Sequence, residues 1–88
     1  MSEKTLRVEL VAADKAVWSG EAKLVVAKTV EDEIGLMPGH EPMLAILSKG
    51  EVRVTTPDGE VLTVAADDGF LSMEHNVVTV VARNASLT

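Results

Sequence analysis

The chain has 88 residues, with fourteen acids against eight bases for a net charge of −6, and no cysteine. That length makes one small domain over residues 1–88, hiding only about 60–65% of its unfolded surface, and the absent thiols exclude disulfides and thiol metal sites. The acidity disfavours nucleic acid and anionic membranes, no apolar run nears the roughly 18 residues of a span, and Met1-Ser2-Glu3-Lys4 lacks signal-peptide order, so a soluble intracellular protein is expected.

Fourteen residues are valine and only two are aromatic. Valine suits pleated, half-buried surfaces because its χ1 is already restricted. Leu6, Val8, Leu10 and Ala12 alternate with Thr5, Arg7 and Glu9, a period-2 strand with one wet face. Ala13-Asp14-Lys15 turns it, Val17 to Glu21 returns, and Lys23 to Thr29 makes a third strand. Ile34–Leu36 is a short strand, and Met43 to Leu47 fits helix or strand by periodicity alone. Ser48-Lys49-Gly50 ends that segment, and Glu51 to Thr55 alternates cleanly. Thr56-Pro57-Asp58-Gly59 is the clearest turn, with Glu60 to Ala65 as the matching strand. Asp67-Asp68-Gly69 turns again, and His75-Asn76 closes a last hairpin into Val77 to Ala82. These signals predict an all-β fold: a small β-sandwich of eight to ten short, mostly antiparallel strands.

The densest information lies in Glu33-Ile34-Gly35-Leu36-Met37-Pro38-Gly39-His40-Glu41-Pro42. Pro38-Gly39 fits the centre of a type II turn, proline presetting φ and glycine accepting the positive φ that follows. Pro42 holds Glu41 out of the helical region. Gly35, Pro38 and Gly39 therefore shape a stiff loop, entered through the acidic run Glu31-Asp32-Glu33. Stiffness beside concentrated charge points to a docking surface.

The same stretch resembles the epsilon subunit of bacterial F-type ATP synthases, whose pattern is acidic, aliphatic, Gly, aliphatic, any residue, Pro-Gly-His, any residue, Pro, then apolar positions. Every element is present from Glu33 to Met43. Val17-Trp18-Ser19-Gly20, Asp68-Gly69-Phe70-Leu71 and Asn76 to Ala82 are similar to further family segments in the same order. The resemblance implies a non-catalytic central-stalk subunit, peripheral on the cytoplasmic face of the bacterial cell membrane. It would link the gamma stalk to the ring of c subunits and couple ion-driven rotation to ATP synthesis. Glu31, Asp32 and Glu33 would meet the ring, and His40, Pro42, Met43 and Ala45 would meet gamma. Such subunits usually continue into a C-terminal helical hairpin, whereas this sequence stops at Thr88. No cofactor and no nucleotide binding are therefore expected.

Competing chemistry is thin. His40 has only Glu41 beside it, and neighbours in an extended stretch point opposite ways, so the parts of a general-base site are missing. His75 at a hairpin tip reads as solvated. Glu31-Asp32-Glu33 lacks the spaced oxygens that calcium needs, and neither a phosphate-binding Gly-x4-Gly-Lys-Ser/Thr loop nor a Gly-x-Ser-x-Gly elbow occurs. Two alternatives remain: a stand-alone β-sandwich interaction module, and a lipoyl-type carrier domain, since Asp14-Lys15-Ala16 matches the tip of such domains. Gly39→Val is expected to cost at least about 1–2 kcal/mol, because a β-branched residue is forced to positive φ. Thermal unfolding of the variant checks this.

Overall fold

The computed structural model describes residues 5–13, 15–28, 32–39 and 41–87, without the side chains of Ser48 and Leu87. Among the described residues, seven strands form one sheet: β1 (Leu6–Ala12), β2 (Lys15–Ala22), β3 (Leu24–Lys28), β4 (Glu33–Leu36), β5 (Met43–Thr55), β6 (Val61–Glu74) and β7 (Val77–Leu87). Their spatial order is β2-β1-β7-β6-β5-β3-β4. Neighbours pair antiparallel except β1 with β7, which run parallel from Arg7↔Val77 to Ala12↔Ala82.

The all-β, mostly antiparallel class holds, and Met43 to Leu47 is strand. Among the described residues the strands number seven rather than eight to ten, because β5 and β6, at 13 and 14 residues, each unite two predicted strands. Ser48-Lys49-Gly50 and Asp67-Asp68-Gly69 are not chain reversals but corners within continuous strands. Along β6 the inward residues are Leu62, Val64 and Ala66, then Leu71 and Met73, so the inward parity changes between the halves. β5 does the same, from Met43, Ala45 and Leu47 to Val52 and Val54. β7 follows, from Val78, Val80 and Ala82 to Ala85. The register runs Leu47↔Gly69↔Ala82 and then Lys49↔Asp67↔Asn84, with no pairing recorded at the level of residues 48, 68 and 83. Asp68 there has φ 56°, a left-handed conformation that Asp tolerates better than most residues. Three strands thus bend at one level, and the sheet folds over on itself as a sandwich whose strands pass between layers at corners.

β2 and β3 make their own corner at Lys23, whose N–H donates to the Thr55 carbonyl at 2.8 Å. Leu6, Val8 and Leu10 from β1, Val25 from β3, Leu36 from β4 and the inward residues of β5–β7 close one apolar core. No polar or charged residue is buried among the described residues. Val17, Trp18 and Ile34 pack against this core from its margins.

Turn chemistry follows the residues. Gly59 N–H donates to the Thr56 carbonyl at 2.9 Å and Thr56 N–H to the Glu60 carbonyl at 2.8 Å. Gly59 sits at φ 95°, where a three-residue hairpin loop calls for glycine. His75 and Asn76 have φ 51° and 62°, the two positive values of a type I′ turn.

At the corner, a Cβ on Gly69 would strike the Val81 carbonyl oxygen and the Ala82 Cα. Both are backbone atoms and neither has a side-chain route of escape. Gly69→Ala is expected to lower the melting temperature by about 10–20 °C, from the upper part of the overpacking range and the usual shift per kcal/mol for so small a domain. Gly35→Ala, where a Cβ meets nothing within 4 Å, is expected to change stability by less than about 0.5 kcal/mol. Thermal denaturation followed by circular dichroism measures both.

Candidate docking surface

β4 is an outer edge of the sheet. Asp32 immediately precedes it and Glu33 begins it, and both are exposed. Glu31 lies outside the described residues. Glu33 is opposite Lys28 of β3, and Lys28 is opposite Glu51 of β5, so acid, base and acid follow one another across three strands. Charges on an open edge also discourage pairing with another chain's strand.

β4 leads into the stiff loop. Gly39 has φ 91°, as a type II turn requires, and its N–H donates to Asn76 Oδ1 at 2.8 Å. A Cβ at Gly39 would meet nothing within 4 Å, so the glycine serves backbone conformation rather than space. Gly35 lies in β4, opposite Val26, without a positive φ. His40 is outside the described residues, while Glu41 and Pro42 are exposed.

Beyond Pro42 the chain enters β5, where alternation decides what a partner can touch. Met43 and Ala45 are half-buried on the inward side, and Met43 packs on the core. Leu44 and Ile46 point outward, 66% and 72% exposed. Ile46 is opposite Phe70, Phe70 opposite Val81, Val81 opposite Val11, and Val11 opposite Ala16. One register level therefore carries an apolar row across five strands on the outer face of the sandwich, with Leu44 one pair along. Leu44 and Ile46 are the most exposed large side chains of this face, whereas Val81 and Val11 are half-buried, and an apolar face of this kind makes a candidate interaction surface. The contact residues read from the sequence do not include Leu44, Ile46 or Phe70, whose exposure the alternation in β5 and β6 sets. The available signal was that Met43 to Leu47 is apolar on both faces, so only one of its faces can meet the core and the other is left on the surface.

The described residues hold no group of three or more His, Asp or Glu able to grip a metal. The ion pairs Arg7–Glu9 and Arg53–Glu51, both at 3.1 Å, join exposed partners two residues apart along a strand, and such pairs contribute about 0–1 kcal/mol. Lys15 is exposed at the start of β2, not midway between symmetric halves as a lipoyl carrier would place its lysine.

Residues 5–88 match the family described as ATP synthase, Delta/Epsilon chain, beta-sandwich domain. The chain is 51% identical over 82 residues to the ATP synthase epsilon chain of Streptomyces avermitilis, covering 93% of this chain and 66% of that one. Against the epsilon chain of Micrococcus luteus it is 49% identical over 82 residues, covering 93% and 90%. Against that of Rhodococcus jostii it is 50% identical over 88 residues, covering 99% and 70%. The chain thus spans about two thirds of the length of the Streptomyces relative. Among solved structures, a chain of the mitochondrial ATP synthase of Euglena gracilis, resolved with its c-ring, superposes with TM-score 0.88 at 20% identity over 99% of this chain and 56% of that one. A chain of the Tetrahymena thermophila central stalk and c-ring gives 0.71 at 15% identity over 98% and 69%. At those identities the likeness is one of fold, and the sequence relatives supply the rest: this chain belongs to the ATP synthase epsilon chains, through their β-sandwich domain.

Proposed function

We propose that the chain is a non-catalytic central-stalk subunit that holds the gamma stalk to the c ring and so couples ion-driven rotation to ATP synthesis. The observation that carries this reading is a division of surfaces. An acidic sheet edge and an apolar sheet face are separate, and the stiff Pro38–Gly39 loop joins the strands that bear them. A subunit that grips two partners at once needs two such surfaces.

The gamma contact runs along the loop and the start of β5, through His40, Pro42, Met43 and Ala45. Leu44 and Ile46 supply the exposed apolar area beside them. Burying an exposed aliphatic side chain contributes about 1.5–3 kcal/mol, so a few of them outweigh the surface ion pairs. The ring contact uses Glu31, Asp32 and Glu33 against polar, partly basic loops. Each pair there contributes only about 0.2–1 kcal/mol, which fixes registry and speeds encounter more than it adds affinity. The complex sits on the cytoplasmic face of the bacterial cell membrane, with this subunit outside the bilayer.

Copurification with gamma separates this reading from a stand-alone interaction module. Leu44→Ser with Ile46→Ser is expected to leave the melting temperature nearly unchanged, since both side chains are largely exposed, and to abolish copurification. Retained gamma binding in that double variant would remove the β5 face from the contact.

Reversal of Glu31, Asp32 and Glu33 to lysine is expected to cost no more than about 0.2–1 kcal/mol, mainly from a lysine set opposite Lys28. Ion-driven ATP synthesis by reconstituted enzyme is expected to fall in the same variant. Full coupling would exclude this edge from the ring contact.

A further inference from the structure

We propose that Asn76 is a positioning residue for the partner-binding loop, holding the Pro38–Gly39 turn in place through its side-chain amide. The proposal rests on the reading of that loop as part of the gamma contact.

Asn76 joins three segments that are distant in sequence. Its Oδ1 accepts the Gly39 N–H at 2.8 Å, across 37 residues. Its backbone carbonyl accepts the Arg7 N–H at 2.8 Å, at the point where β1 begins to pair with β7. Its own backbone, at φ 62°, is the second half of the β6–β7 turn. The position thus makes two demands at once. The backbone must be left-handed, which glycine, asparagine and aspartate accept most readily. The side chain must also be short and carry an acceptor oxygen, which removes glycine.

The constraint falls on the turn between β4 and β5. Gly39 is exposed, and a Cβ added to it would meet nothing within 4 Å. Its φ of 91° sets the shape of the turn without fixing where the turn lies. The bond to Asn76 does fix it, laying the turn against the end of β6 and β7, beside the Met43↔Met73 pair where β5 begins. A loop held there before the partner arrives does not have to be ordered on binding, and pre-ordering raises affinity by lowering that cost.

Two variants separate this role from a purely conformational one. Asn76→Gly keeps the left-handed backbone and the carbonyl that serves Arg7 but deletes Oδ1. Asn76→Asp keeps both the conformation and an oxygen in reach of Gly39. The experiment follows amide hydrogen exchange at Gly39 by nuclear magnetic resonance and titrates each chain with purified gamma subunit. For Asn76→Gly, protection at Gly39 is expected to fall roughly three- to tenfold, the factor set by one hydrogen bond. Gamma affinity is expected to fall by a similar factor while the fold is retained. Asn76→Asp is expected to restore both. Unchanged Gly39 protection in Asn76→Gly would overturn the proposal. So would lost protection with gamma affinity intact, or failure of Asn76→Asp to rescue. A wild-type chain that does not bind gamma would instead overturn the reading of the partner, with exchange at Gly39 still deciding whether the side chain holds the loop.

Discussion

The close approach of Gly69 to the Val81 backbone is what lets this sheet close on itself. β6 and β7 meet there with no room for a side chain, and the inward face changes parity in β5, β6 and β7 at the same level. A sheet that stayed flat would leave one side of Leu47, Val64 and Leu71 wet. Bent at this level, it brings the halves of three strands into one core. Every other strand is placed by that bend: β3 and β4 extend one layer from β5, and β1 and β2 extend the other from β7.

The bend also decides what faces outward. In the layer built on the first half of β5, the outer face carries Ile46, Phe70, Val81 and Val11 in register. In the other layer the outer positions are more polar, with Arg53 opposite Val26 and Thr63. Glu33 of β4, with Asp32 just before it, lies at that layer's free edge. A single folded sheet thereby carries a greasy face and a charged edge on different parts of its surface.

Turns were legible in the sequence because their chemistry is local. Pro38-Gly39, Thr56 to Gly59 and His75-Asn76 each announce a backbone conformation through one or two residues, and each adopts it. The corners were not legible as corners. Asp67-Asp68 and Arg83-Asn84 place two polar residues in succession within alternating strands, and a pair of this kind reads equally as a turn. Only the neighbouring strands, bending at the same level, distinguish the two. The exposure of Leu44 and Ile46, rather than Met43 and Ala45, likewise depends on which of two apolar faces meets the core. The tie from Gly39 to Asn76 spans too many residues for any local pattern to reveal. The acidic edge and the loop could be singled out as a candidate region because they are contiguous in the chain, whereas the apolar row is assembled from β2, β1, β7, β6 and β5.

The parallel pairing of β1 with β7 has a consequence for the order in which the domain is built. Arg7 meets Val77, so the first strand finds its inner neighbour only after β7 has been made. β5, β6 and β7 form a meander of sequential antiparallel partners, and such local contacts close with little loop entropy. β1 and β2 can pair as a hairpin early, yet Leu6, Val8 and Leu10 have no partner strand to hold them over the core until β7 arrives. The β1–β7 pairing closes a long loop, and non-local pairing of this kind is what slows β-rich domains. On the ribosome, the leading hairpin waits with its apolar side uncovered while the rest of the sheet is synthesised.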